Sequence, residues 1–223
     1  GMVMPGSTTG NIYISNGGGS VNSTGNFTVT PSLIPTSQQG NKIVGTGYAG
    51  SPNQGFSVAI SSDGNTALVG GQGDNVAIGA AWVYIRNGST WAQQGGKLVG
   101  TGNTGMSRQG TSVSLSADGN TAIVGGRGDN NYIGAAWIFT RNGTNWTQQG
   151  SKLVGSGFTG TLINQGYSVS LSADGNTAIV GGQGDNSGIG AVWIYTRSGS
   201  TWTQLGSKLV GTGNAGLSNQ GIS

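Results

Sequence analysis

The sequence predicts an all-β fold built from repeated four-stranded antiparallel sheets. Three observations predict it. Nearly the same string recurs three times in the 223-residue chain, beginning at Ser61, Ser116 and Ser172. Asp-Gly and Asn-Gly pairs separate short apolar runs, which is a strong local signal for β-hairpins. No stretch keeps the helical spacing of apolar residues over the length of a helix.

One repeat contains four predicted strands. In the first unit these are residues 56–61, 66–71, 80–86 and 90–100, with Gly95 and Gly96 interrupting or bulging the last. A DGN turn joins the first two strands, a QGDN loop joins the second to the third, and an NGST turn joins the third to the fourth. Full units are expected near residues 55–100, 110–155 and 166–211, with partial units on both sides.

The predicted strands are largely apolar on both faces, so each sheet must be covered by other sheets. Four antiparallel strands per unit, packed between neighbouring units, predict a β-propeller over residues 39–223. A β-helix is the alternative, although its coils are usually shorter and need no pair of tight hairpins. Three full blades are fewer than the roughly 4–8 of known propellers. We therefore expect either a fragment of a longer protein or chains that complete one another.

Residues 1–38 do not follow the repeat. Their alternation predicts a β-hairpin that ends at Pro31 and Pro35, as an N-terminal β-rich arm over an open edge, as the end of a neighbouring domain, or as a linker. No apolar run reaches the length of a membrane helix, so no membrane insertion is predicted. The net charge of +3 is spread along the chain without a Lys/Arg cluster, which argues against a nucleic-acid partner.

The acidic residues argue against catalysis. The chain has no His, no Cys and only six acidic residues, all Asp, with two at equivalent positions in each repeat. An enzyme site normally combines different residues in different roles, whereas a repeat gives every blade the same groups. The sequence therefore predicts a non-enzymatic protein without catalytic residues.

Candidate ligand-binding residues lie in the QGDN loops. In a propeller these loops share a face with the inter-blade loops, where the copies differ most. Two basic residues outside the repeated set are predicted on the same face, as an anionic-ligand spot or as two solvated arginines. The candidates are Asp74, Asn75, Asp129, Asn130, Asp185, Asn186, Arg108 and Arg127.

The string that begins "QGFSVAISSDGNTALVGG" at Gln54 resembles the FG-GAP repeat in its bacterial version. That family builds the propeller heads of integrin α chains and recurs in secreted bacterial proteins, so the resemblance implies a secreted or cell-surface protein. In this chain Gln-Gly replaces the Phe-Gly pair and VGGQGD replaces Val-Gly-Ala-Pro. Family blades that bind calcium carry several Asp/Asn oxygens in the first loop, whereas each loop here has one carboxylate: Asp63, Asp118 or Asp174. We therefore expect Asx-type hairpin turns there and no cofactor.

Taken together, the sequence predicts a secreted or surface binding and adhesion module. It is expected to recognise a glycan or a surface protein on the loop face and to self-associate through blade completion. One alternative is a purely structural repeat that assembles into an oligomer or a filament. Another is a hydrolase or lyase with a site at the ring centre, which would need an asymmetric cluster of polar groups.

Overall fold

The computed structural model describes residues 13–16, 19–22, 38, 40–213 and 216–223. Its contacts divide the chain into two units, Gly1–Gln39 and Gly40–Ser223. In the first unit, β1 (Tyr13–Asn16) and β2 (Gly19–Asn22) form an antiparallel hairpin. The predicted end of this hairpin region at Pro31 and Pro35 lies outside the described residues.

The second unit contains three four-stranded antiparallel sheets, each formed by consecutive strands in sequence order. This confirms the predicted all-β fold of repeated four-stranded blades, and the fold is propeller-like. Blade 1 comprises β3 (Ser57–Ile60), β4 (Thr66–Gly71), β5 (Ala80–Asn87) and β6 (Thr90–Gln93). Blade 2 comprises β7 (Ser112–Leu115), β8 (Thr121–Gly126), β9 (Ala135–Asn142) and β10 (Asn145–Gln148). Blade 3 comprises β11 (Ser168–Leu171), β12 (Thr177–Gly182), β13 (Ala191–Ser198) and β14 (Thr201–Gln204).

The first strands of successive blades lie side by side, because β3 contacts β7 and β7 contacts β11. The first strand is therefore the inner edge of each blade and the fourth strand is the outer edge. The DGN loops of neighbouring blades are also joined, since Ser62 N donates to Ala117 O at 3.0 Å and Ala117 N donates to Ala173 O at 2.9 Å. Consecutive blades thus share a hydrogen-bonded inner rim.

The fourth strand of each blade is interrupted, as the Gly95–Gly96 pair predicts for blade 1. In blade 1 the ladder of β6 stops at Gln93, and pairing resumes at Leu98, which forms an antiparallel bridge with Ala81 of β5. Gly95 lies between them with φ +73°, a left-handed conformation that glycine adopts without steric cost. The outer edge is therefore two short pieces rather than the continuous strand 90–100.

Each predicted QGDN loop contains a short turn whose interior backbone is left-handed rather than α-helical: α1 (Asp74–Ala77), α2 (Asp129–Tyr132) and α3 (Asp185–Gly188). None of the helices in the described part of the chain is long and apolar enough to cross a membrane. The tryptophans of the third strands, Trp82, Trp137 and Trp193, have no exposed surface. They anchor the apolar layers that blades and linkers enclose.

Candidate functional site

The three aspartates of the QGDN loops are buried. Asp74 has no exposed surface, and its Oδ1 accepts a hydrogen bond from Ala49 N at 2.8 Å. Its Oδ2 accepts from Lys97 Nζ at 2.5 Å. Each carboxylate therefore ties its helical turn to the preceding inter-blade linker and to the bulged outer strand of its own blade. The other two sets are Asp129 with Thr104 N and Lys152, and Asp185 with Thr159 N and Lys208.

The asparagines that follow these aspartates are exposed, at the apex of left-handed turns. Asn75, Val76 and Ala77 have φ of 47°, 55° and 63°, and Asn130 and Asn186 have φ of 47° and 48°. For a residue with a side chain this conformation costs about 1–2 kcal/mol, and asparagine tolerates it best. The turn is held from outside, because Asn75 N donates to Ala49 O at 2.9 Å. Backbone strain of this kind, which the surrounding structure maintains in a surface loop, is often found at binding sites.

The structure brings both candidate arginines to the loop face of blade 2. The guanidinium carbon of Arg108 lies 5.7 Å from the ring centre of Tyr132 in α2, and that of Arg127 lies 5.6 Å from the ring centre of Tyr167. The two segments meet where Gly128 N donates to Ser107 O at 3.1 Å. Arg108 Nε is buried and has no hydrogen-bond partner among the described residues. Both cations are therefore half-buried against aromatic rings, and their role as an anionic-ligand spot stays a prediction.

The DGN loops are Asx-type hairpin turns, as predicted. Asp63 Oδ1 accepts from Ser61 Oγ at 2.5 Å and from Asn65 N at 2.9 Å, and Oδ2 accepts from Asn65 Nδ2 at 3.0 Å. The Ser61 hydroxyl, followed by the Asn65 groups, lowers the pKa of the Asp63 carboxyl below its usual value. The equivalent bonds from Ser172 and Asn176 lower the pKa of Asp174.

The family resemblance implies calcium for loops of this kind, and these residues do not fit it. Calcium needs about 6–8 oxygen ligands, whereas each loop offers one carboxylate, and both oxygens of Asp63 and of Asp118 already accept hydrogen bonds. Within the described residues, no group of three or more His, Cys, Asp or Glu side chains is placed to hold a metal ion.

A glutamine clamp closes each inter-blade linker, and sequence reasoning did not identify it. Gln109 Oε1 accepts from Gly100 N at 2.5 Å, and its Nε2 donates to Gly100 O at 3.0 Å. The linker then crosses the next blade, where Trp137 Nε1 donates to Thr101 O at 2.8 Å. A Cβ on Gly100 would lie 2.0 Å from the indole of Trp137, so only glycine fits. The recurrence of Gln-Gly at the start of every unit was the available signal.

A second set of glutamines joins the outer rims of neighbouring blades. Gln94 Oε1 of blade 1 accepts from Trp146 Nε1 of blade 2 at 3.0 Å, and Arg141 lies over the same ring at 5.5 Å. Gln149 and Trp202 repeat this contact between blades 2 and 3 at 2.9 Å. The tryptophans that open the fourth strands are therefore half-buried, and grooves of about 400 Å³ lie beside Trp146 and Trp202.

Each blade has two different apolar faces. We call the face that packs on the next blade along the chain the trailing face, and the face that packs on the preceding blade the leading face. The trailing face of blade 1 includes Leu68 and Val83, and it packs against Val113, Val124 and Trp137 on the leading face of blade 2. Blades 2 and 3 form the same contact, with Ile123 and Ile138 packed against Val180, Trp193 and Tyr195.

The outermost face at each end of this array is exposed in part, since on the leading face of blade 1 Trp82 and Tyr84 are buried. On the leading face of blade 1, Val58 is 70% exposed, whereas the equivalent Val113 of blade 2 is 9% exposed. On the trailing face of blade 3, Ile179 is 41% exposed, whereas the equivalent Ile123 is fully buried. Within the described residues, each of the two faces that pack together inside the chain is thus left partly uncovered once.

The fold and the site together define the class of protein. It is a propeller-like protein in which buried Asp–Lys pairs and glutamine clamps hold the linkers onto the stacked blades. No protein-family model and no curated protein sequence matches the chain. Two solved structures illustrate the similarity in fold. Sqt1 of Saccharomyces cerevisiae is 14% identical with a TM-score of 0.46, covering 72% of this chain and 36% of that chain. A protein of Bacteroides uniformis assigned as a 6-phosphogluconolactonase is 14% identical with a TM-score of 0.49, covering 69% and 39%.

The chain spans less than two fifths of the length of either structure. The second name is that of an enzyme, and it overturns the expectation from the sequence that the protein is non-enzymatic. The reason is physical: a repeat fold sets the positions of its blades but not the chemistry grafted onto its loops. At this identity the likeness concerns the fold alone.

Proposed function

We propose that this chain is a self-associating scaffold, in which the leading face of one copy docks on the trailing face of another. The observation that carries the proposal is that the chain forms this contact twice within itself, between blades 1 and 2 and between blades 2 and 3. The two partly exposed end faces are the complementary halves of the same contact. Burying one Val, Leu or Ile side chain is worth about 1.5–3 kcal/mol, so these faces favour association.

Light scattering and sedimentation of the 223-residue chain over the micromolar range test this proposal. Mass is expected to rise with concentration, and Ile179→Asp and Val58→Asp should each abolish the rise, because each buries a charge in the docked face. Ser200→Asp is the matched control, since Ser200 is exposed in the turn between β13 and β14. A wild-type chain that stays monomeric throughout, or Asp variants that assemble like the wild type, would overturn the proposal.

The proposal includes a relationship to the FG-GAP repeats and a secreted or cell-surface location. The support for both is the resemblance of the repeat, with its inner-strand Ser-Val pairs and Asp-Gly hairpins. Detection of the protein in the culture medium or on intact cells, rather than inside them, tests the location.

A second candidate function is recognition of an anionic glycan or protein on the loop face. It is favoured by the exposed asparagines on left-handed turns and by the two arginines stacked on tyrosines in blade 2. The repeats supply a matched variant. Asn53 and Asn164 occupy the position of Arg108 with the same positive φ, and Gln72 and Gln183 occupy that of Arg127.

The double variant Arg108→Asn with Arg127→Gln makes blade 2 resemble its neighbours and should leave the fold intact. Binding to sulfated or carboxylated glycans on an array is expected for the wild type and should be lost in the double variant. Equal binding by both proteins, or no binding by either, would reject this candidate.

A further inference from the structure

Two grooves on the outer rim have the same construction, and we call them the outer-rim grooves. One lies between the bulge of blade 1 and the start of the fourth strand of blade 2, and the other joins blades 2 and 3 in the same way. Their volumes of about 400 and 410 Å³ fall within the range of about 300–1,000 Å³ that is usual for small-molecule sites. Residues at equivalent repeat positions line both: Gln94, Gly96, Lys97 and Trp146 in the first, and Gln149, Ser151, Lys152 and Trp202 in the second.

One wall of each groove is a tryptophan ring that the protein itself holds in position. Trp146 Nε1 donates to Gln94 Oε1 at 3.0 Å, and the guanidinium carbon of Arg141 lies 5.5 Å from the ring centre. The second groove repeats both contacts, at 2.9 and 5.6 Å, with the residues Trp202, Gln149 and Arg197. Both rings are half-buried. Because the indole N–H is the only donor of this side chain and is already bonded, the ring offers the groove apolar surface.

The remaining walls of the first groove offer hydrogen-bonding groups. In the bulge, the backbone N–H groups of Gly95, Gly96 and Lys97 donate to no acceptor among the described residues. Across the groove, the exposed side chains of Thr144 and Asn145 form no hydrogen bond within the same part of the chain. The groove therefore combines one fixed aromatic surface with several polar groups that are open to a ligand.

The charge in each groove is already compensated. Among the described residues that line the first groove, Lys97 is the one ionisable side chain, and its ammonium pairs with the buried Asp74 at 2.5 Å. Lys152 of the second groove pairs with Asp129 in the same way. An anionic ligand would have to compete with a buried carboxylate for the ammonium, and a cationic ligand would be repelled by it. The grooves therefore favour a neutral ligand with many hydroxyl groups.

We propose that the outer-rim grooves are binding sites for neutral carbohydrate, with one pyranose ring in each groove. The C–H groups on one face of the pyranose pack on the indole, and its hydroxyls bond with the N–H groups of the bulge and with Thr144 and Asn145. Because the ring is fixed before binding, little side-chain entropy is lost. The grooves are separate from the end faces and from the loop face, so the inference does not rest on either function proposed above.

A peptide is the alternative occupant, and the grooves fit it less well. Aromatic grooves take proline-rich segments, but here the indole N–H that would bond a peptide carbonyl is bonded to Gln94. An added β-strand needs a regular edge of backbone donors and acceptors. The outer edge of blade 1 is broken by the bulge between Gln93 and Leu98. A sugar ring needs neither feature.

Electrophoresis of the 223-residue chain through gels that contain a neutral polysaccharide tests the proposal. The panel is a β-glucan, a mannan, a xylan and a galactan, and at least one of them should retard the wild type. A monosaccharide from that polymer should bind a single groove with a dissociation constant of about 1 mM or weaker. Because one polymer can occupy both grooves, the loss of one groove should weaken retention by about tenfold or more rather than by half.

Leucine at equivalent positions closes the grooves one at a time. A Cβ on Gly96 has no atom within 4 Å, Gly96 has no positive φ, and Ser151 is exposed, so neither substitution should disturb the fold. Gly96→Leu and Ser151→Leu should each weaken retention, and the double variant should abolish it. Gly96→Ser is the matched control, because it gives the first groove the residue that the second already has. Thermal midpoints equal to that of the wild type verify that each variant is folded.

Each outcome decides the proposal. Loss of retention in the double leucine variant, with wild-type retention in Gly96→Ser, supports it. A wild type that none of the four polysaccharides retards would overturn it, as would a double leucine variant that is retained like the wild type. Loss of retention in Arg108→Asn with Arg127→Gln would move the sugar site to the loop face and would also overturn it. Displacement of the polysaccharide by a proline-rich peptide at lower concentration than by the sugar would assign the grooves to peptides instead.

Discussion

Asp129→Asn should destabilise the chain strongly although it keeps the shape of the side chain. The carboxylate of Asp129 is fully buried, accepts from Thr104 N at 2.7 Å and pairs with Lys152 Nζ at 2.5 Å. Asparagine keeps an oxygen for the Thr104 amide, but its NH2 group then faces the ammonium, and two donors oppose each other. The buried ion pair becomes an unmatched charge.

The expected loss in the free energy of unfolding follows from this geometry. Breaking a fully buried pair by removing one partner costs about 3–5 kcal/mol, and we expect about 2–3 kcal/mol here. The lower value reflects the Lys152 side chain, which is 21% exposed and can turn its ammonium towards water. Adding Lys152→Met removes the unmatched charge, so the double variant should recover part of the loss in a double-mutant cycle.

Urea unfolding followed by tryptophan fluorescence measures these free energies, because Trp137 is buried in the same blade. Asp118→Asn is the matched control: it lies in the exposed DGN turn of blade 2, where we expect a loss of about 1 kcal/mol or less. A change in Asp129→Asn of less than about 0.5 kcal/mol would be typical of an ordinary surface substitution. That result would refute the assignment of this aspartate as a structural tie.

Two further predictions concern the linkers and the hairpin turns. Gly100→Ala should lower the thermal midpoint well below that of Gly96→Ala, because its Cβ would meet the Trp137 ring at 2.0 Å, and equal midpoints would contradict this. The pKa of Asp174 is lower in the folded chain than its ordinary value of 3.8, chiefly through the Ser172 hydroxyl. The stabilisation is therefore complete above that value and is lost as the pH falls through the lower folded pKa. Ser172→Ala should flatten this acid dependence of the urea midpoint, and an unchanged slope would count against it.

The blade architecture was predictable because its signals are local. Asp63-Gly64 and Asn87-Gly88 fix the two tight turns of blade 1, and the apolar runs between them fix the strands. The repeat then predicts sheet stacking, since one apolar sheet has nothing else to cover it. These features can be predicted without knowing which residues far apart in sequence are in contact.

The left-handed turns were not predictable because local preference opposes them. Val76 is β-branched and has φ +55°, a conformation that such residues rarely adopt. The turn is held by long-range bonds, among them those of Ala49, which bonds both the Asp74 carboxylate and the Asn75 amide although it is far away in sequence. The sequence therefore predicted a plain loop.

The burial of the candidate aspartates was missed for a related reason. Asp74 looked like an exposed ligand group because its partner, Lys97, is 23 residues away and reaches it only through the bulge of the outer strand. A signal was present: one such Asp and one Lys recur at constant spacing in every repeat. The neighbouring Asn75 is exposed, and its part in binding stays a prediction.

The ion pair of each blade has a consequence for how such a chain can grow during evolution. Lys97 and Asp74 come from the same 55-residue unit, so a duplication or deletion of one whole unit adds or removes a charge-balanced pair. No lone buried charge is created at the new junction. Unequal recombination between these near-identical stretches can therefore lengthen or shorten the array without an electrostatic penalty.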